Sequence, residues 1–207
     1  MLKTSSSIMK NQDQRGLQRE MVHRVGNPAI DIGQMTAFFC SVSCPGRLIL
    51  NSYDLAKKWC EVGQPVIGGF HAPVEREVLR ILLRSTAPIC VVVAHGLPKQ
   101  IPSEFKKPID DGRMILASPF DGRTKRATAE SALKRNLIIS VLAEKVFVAY
   151  AAPGSKTETL CHTISKWKKP LYTFDHPANV ALLQAGAKAI NLGKTFGRGD
   201  NSWMLEN

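Results

Sequence analysis

The sequence predicts an α/β fold, a mostly parallel sheet with helices on both faces, in a single domain. Three observations carry that expectation. From Thr36 onward, short apolar runs of β-forming residues alternate with segments of helical length and pattern. The runs are almost wholly apolar, as strands covered on both faces are. The chain has 207 residues and 44% hydrophobic content, enough to build one well-cored domain.

In chain order the strand candidates are TAFFCSVS from Thr36, PVIGGF from Pro65, PICVVVA from Pro88, RMILAS from Arg113, KVFVAYA from Lys145 and PLYTF from Pro170. Helices are expected over Asn51 to Val62, Pro73 to Arg84, Thr128 to Ala143, Thr157 to Lys168 and Pro177 to Ala185. Pro73 is placed to open its helix, because proline presets the first turn and gives up an N–H that is unpaired there anyway. Two stretches break the rhythm. Residues 1–27 are polar and read as an N-terminal arm; the domain then spans 28–192, and 193–207 read as a surface tail. Gly96 to Gly112 holds three prolines and no helical period, and reads as a long surface loop.

The formal charge is +11, from 28 Lys and Arg against 17 Asp and Glu, which favours a polyanionic partner such as nucleic acid or a nucleotide, although composition alone does not separate that from a merely soluble basic surface. No apolar run approaches the roughly 20 residues of a membrane helix, and the first residues lack the apolar middle of a secretory signal. A soluble, cytoplasmic protein with no membrane partner is expected. The five cysteines, Cys40, Cys44, Cys60, Cys90 and Cys161, lie mostly in apolar segments, without a second pair at zinc spacing. Neither a metal nor a cofactor is expected.

In parallel α/β sheets ligands bind beyond the carboxyl ends of the strands, so the strand-to-helix junctions hold the candidates. Ser41 to Gly46, SVSCPG, is read equally well as a plain turn and as a loop whose hydroxyls and Pro-Gly turn present backbone N–H groups to an anion. In VIGGFHAPVERE, Gly68 and Gly69 allow close backbone approach or positive φ, and Glu75 and Glu77 suit a helix N-terminus. His71 falls in the turn itself, where hydrogen bonding to a ligand is the favoured role over acid–base catalysis. Arg123, Lys125, Arg126, Lys134 and Arg135 form the densest basic cluster, and Arg135-Asn136 ahead of an apolar run is expected to aim into a crevice. Gly154, Ser155, Lys156 and Thr157 open a helix directly after a strand and resemble a phosphate cradle in kind: N–H groups, a hydroxyl and a cation. They do not form a Walker A loop. The Gly-Lys-Thr at 193–195 also lacks the earlier glycine, and the Arg-Gly-Asp at 198–200 carries no weight.

Taken in order, SVSCPG, DLAKKWCEVGQPVIGGFHAPVE, SPFDGRTKRATAESALKRNLIISVLAEKVFVAYAAPGSKT, KPLYTF and NVALLQAGAKAI resemble the DNA-processing protein A (DprA/Smf) family over roughly Thr36 to Ile190. The resemblance implies a Rossmann-like core, a single-stranded DNA-binding function in DNA uptake and recombination, a homodimer and a RecA-type recombinase partner. It implies a basic pocket at Ser43, Gly68, Gly69, Arg135, Asn136, Gly154, Ser155 and Lys156. The chain departs from the family pattern at Cys44, where an arginine is usual, and at FHAPVE, which replaces an Ala-Arg-Gly-Ile-Asp run. It is expected to be a solitary core without the additional terminal domains many members carry. A nucleotide in the same pocket is the alternative ligand. The alternative activity is that of a nucleoside monophosphate phosphoribohydrolase, whose Pro-Gly-Gly signature Pro153 to Glu158 echoes in part, with Glu75 or Glu158 as the acid.

Overall fold

The computed structural model describes residues 23–192. The expected arm up to residue 22, the expected tail over 193–207 and the two short triplets within that tail lie outside the described residues.

Eight strands form one sheet in the order β1-β5-β4-β3-β2-β6-β7-β8. They are β1 (His23–Gly26), β2 (Thr36–Cys40), β3 (Val66–Gly68), β4 (Ile89–Val92), β5 (Met114–Ser118), β6 (Lys145–Tyr150), β7 (Leu171–Phe174) and β8 (Lys188–Ile190). Every pairing is parallel except that of β1 with β5. Six helices connect the strands: α1 (Gly46–Val62), α2 (Pro73–Leu82), α3 (Ser103–Asp110), α4 (Ala129–Leu142), α5 (Lys156–Lys166) and α6 (Val180–Gln184). This is the Rossmann-like α/β architecture the sequence predicts.

Period-two alternation sorts each strand between two cores. Phe38 faces α1, α2 and α3, joining Leu55, Trp59, Val78, Leu82 and Phe105. Its neighbour Phe39 faces α4, α5 and α6, joining Leu137, Ile138, Leu160, Ile164 and Leu182. The first core is centred on aromatic rings. Trp59 meets Phe38 edge-on with centroids 5.7 Å apart, and Phe147 meets Phe174 at 4.8 Å. Such edge-to-face pairs add to what burial alone contributes. Cys40, Cys90 and Cys161 are buried among these residues, Cys44 and Cys60 are half-buried, and all five are free thiols.

The structure differs from the sequence reading at its edges. Residues 23–26, assigned above to the polar arm, form β1, whose four residues are all exposed on the rim of the sheet and carry no apolar run. The short β8 closes the other rim, with only Ile190 buried. The stretch read as a long loop contains α3, whose period is masked by Pro108 within it. The helix expected over Pro177 to Ala185 divides into a 3₁₀ turn, Pro177–Asn179, and α6. At that division the Asn179 amide donates to the Ala149 carbonyl, 3.0 Å away, tying the turn to β6. No described helix is long and apolar enough to cross a membrane.

Candidate functional site

The strand order places β3, β4 and β5 to one side of β2 and β6, β7 and β8 to the other, so the chain reverses its direction of growth at the β2/β6 boundary. Loops on either side of such a switch point diverge and leave a crevice at the carboxyl ends of the strands. A crevice of about 620 Å³ lies there. Its walls come from the ends of β2, β3 and β4 and from the starts of α4 and α5, with Gly69, His71, Glu75, His95, Arg135 and Lys156 among the lining residues.

Glu75, in the first turn of α2, holds this end of the sheet together. Pairing of β2 with β6 shifts register between Phe39 and Cys40, and the Cys40 N–H donates to Glu75 Oε1 at 3.0 Å. Glu75 Oε2 accepts from the N–H groups of His71 at 2.8 Å and Ala72 at 3.2 Å. One carboxylate thus satisfies three backbone donors, the most distant of them, Cys40 at the end of β2, 35 residues away in sequence. The side chain is only 6% exposed. Burial pushes the Glu75 carboxyl above the usual carboxylate range, against the opposing pull of the Cys40 N–H and of the Arg135 guanidinium.

Arg135 reaches into the same region from α4. It is 5% exposed, and one guanidinium nitrogen donates to the Val92 carbonyl at 2.8 Å. Its Nε is buried without a hydrogen-bond partner. Desolvation pulls its proton affinity down and Glu75 pulls it back. The role of Gly69 follows directly. A Cβ there would sit 1.8 Å from the guanidinium, so Gly69 makes room for Arg135. Gly68 makes room in turn for the Phe70 ring, which would lie 2.9 Å from an added Cβ. The positive φ allowed for by the glycine pair falls instead on Phe70, at 47°.

At the start of α5 the donors are met from within the chain. Gly154, with φ of 71°, donates its N–H to Glu158 Oε2 at 2.7 Å, and the Glu158 N–H is capped by Ser155 Oγ at 3.2 Å. Ser41 Oγ lies 3.2 Å from Ser155 Oγ and accepts the Ala152 N–H at 2.9 Å, joining the loops after β2 and β6. Lys156 and Thr157, the first two residues of α5, line the crevice.

The crevice therefore gathers Gly69, His71, Glu75, Arg135, Asn136, Lys156 and Thr157. Gly68, Gly154, Ser155 and Glu158 are not among its lining residues, and Ser43 is exposed outside it. Arg123, Lys125 and Arg126 are exposed on the β5–α4 connection, immediately before Ala127, Thr128 and Ala129 of the crevice wall. Arg123 is ion-paired to Asp121 at 2.7 Å. The sequence reading did not single out His95, although it follows a strand as His71 does and the same junction rule applies to it. Nor did it separate Ser41, which joins two loops, from Ser43; no pattern in the sequence does so. The apolar walls, such as Val42, Val93 and Ala132, carry no sequence signal at all.

No protein-family model matches the sequence, and no curated protein matches it. Solved structures share its fold. DNA processing protein A from Helicobacter pylori, which binds single-stranded DNA, superposes with a TM-score of 0.66 at 18% identity, over 81% of this chain and 80% of that one. DNA processing protein A from Streptococcus pneumoniae gives 0.68 at 17% identity over 84% of this chain, which spans 66% of that protein's length. The molybdenum cofactor binding protein of Rippkaea orientalis gives 0.51 at 12% identity, over 73% of this chain and 82% of that one. With its single sheet, its switch-point crevice and these neighbours, the chain has the Rossmann-like fold of DNA processing protein A.

Proposed function

We propose that the protein binds single-stranded DNA by its phosphates in the switch-point crevice, without catalytic turnover. The observation that carries this reading is the convergence of Lys156, at the start of α5, and Arg135, whose buried Nε has no partner among the described residues, on one crevice in a strongly basic chain. An anion entering there meets a cation at a helix N-terminus, the arrangement that suits a phosphate. The Helicobacter pylori protein of the same fold binds single-stranded DNA, which supports this ligand for the present chain. The same resemblance extends the reading to a homodimer acting with a RecA-type recombinase.

The carboxylates argue against a phosphoribohydrolase. Such an enzyme needs an acid facing the sugar whose charge develops as the glycosidic bond breaks. Both oxygens of Glu75 are taken by backbone N–H groups, and Glu158 lies outside the crevice, on Gly154.

Fluorescence anisotropy with an oligothymidylate of about twelve nucleotides, within the usual range of single-strand site sizes, tests the proposal. The single strand is expected to bind more tightly than a duplex of equal length, with affinity falling linearly as salt rises on logarithmic axes. Lys156→Ala is expected to weaken binding severalfold and to reduce that slope by about 0.7, the share of one phosphate on a single strand. Equal affinity for single strand and duplex, or release of free base from nucleoside monophosphates, overturns it.

A further inference from the structure

Between β5 and α4 the chain carries Arg123, Lys125 and Arg126 in four residues, all exposed. Asp121 occupies Arg123, but no acid among the described residues pairs with Lys125 or Arg126. This connection is firmly fixed to the crevice wall. The Gly96 N–H donates to the Thr124 carbonyl at 2.8 Å, and Ser118 Oγ donates to the His95 carbonyl at 2.6 Å while accepting the Phe120 N–H at 3.0 Å. Gly96 lies so close beneath the connection that a Cβ on it would come within 2.4 Å of the Asp121 carbonyl oxygen. His95, bonded through its carbonyl to that anchor, itself lines the crevice, as do Ala127 and Thr128, which continue directly from Arg126.

Unpaired cations held on an anchored backbone at the mouth of an anion-binding crevice extend the path of a polyanion without the entropy of ordering a loop. We propose that Lys125 and Arg126 form a second phosphate subsite, over which the strand leaves the crevice, and that the ligand is accordingly a polymer spanning both rather than a mononucleotide. The inference rests on the crevice reading above and goes further, because it names a second contact for the ligand and the side on which it leaves. A short ligand fills the crevice alone; a longer one gains the subsite as an intramolecular contact at high effective concentration.

Anisotropy with a labelled thymidine dinucleotide and with the longer oligothymidylate, on the full chain, separates the outcomes. Lys125→Ala/Arg126→Ala, at exposed positions where side chains contribute little to stability, is expected to weaken the longer ligand severalfold and to lower its salt slope by about 1.4, two single-strand phosphates, while leaving the dinucleotide unchanged. Gly96→Ala, which removes no charge but displaces the anchored connection, is expected to give the same length-selective loss. An equal loss on both lengths, or none on either, overturns the subsite while leaving the crevice proposal standing if the wild type still prefers single strands. Absence of any binding by the wild type overturns both.

Discussion

Arg135→Met is expected to lower the stability of the fold by about 1–3 kcal/mol, the scale for leaving a buried hydrogen-bonding group, here the Val92 carbonyl, without its charged donor. The substitution withdraws the donor from the Val92 carbonyl and leaves the Glu75 carboxyl without the cation that faces it. Denaturant unfolding should show a lower midpoint at unchanged slope, since the surface exposed on unfolding barely alters. Gly69→Ala is expected to produce a comparable loss for the complementary reason: the new methyl group occupies the space of the guanidinium, which must leave its buried position. The two changes should be far from additive. Once Arg135 is methionine, much of the clash at Gly69 is gone, so the second substitution should add little. Full stability of Arg135→Met would mean that the guanidinium serves the proposed ligand alone and does not hold the fold.

Glu75→Gln is expected to destabilise by about 2 kcal/mol at acid pH, and by less as the pH rises. A protonated carboxyl keeps two oxygens able to accept N–H groups, whereas an amide turns one –NH₂ toward donors that need an acceptor. Leaving a buried N–H unmet costs about 1–3 kcal/mol. The pH dependence follows from burial, which raises the folded-state pKa of Glu75 above its ordinary value of 4.5. Between those two values the folded protein holds a proton that the unfolded chain has released. The stabilisation this represents is complete below pH 4.5 and is lost as the pH rises through the folded-state value. The glutamine variant lacks that limb, so the two stability curves should converge toward neutral pH. Parallel curves would mean that the carboxyl titrates alike in both states.

The central strands were legible because each is apolar on both faces and is followed by a helix-length segment; the junction rule pointed to Gly69, His71 and Lys156 from that alternation, and Arg135 stood out by the basic cluster and the apolar run after it. The rims were not. β1 reads as polar chain because an edge strand of four exposed residues has no burial to impose a pattern. The part of the site that depends on register was also hidden. Pairing shifts register between Phe39 and Cys40, and in the loop that follows Ser41 accepts from Ala152 while Ser43 is left in solvent. Glu75 was legible as a helix-start acid, but its bond to Cys40 joins positions far apart in sequence, which local spacing does not encode.

The carboxylates of Glu75 and Glu158 and the hydroxyls of Ser41 and Ser155 together meet the backbone donors around the crevice from inside the chain. The architecture of the site is therefore independent of its cargo. On the proposed reading recognition rests with rim side chains such as Val42, His71 and Lys156, on which no backbone group among the described residues relies, so these positions are able to drift toward a new ligand while the scaffold beneath them stays intact. A lineage built on this frame is able to change what it carries without first solving the folding problem again.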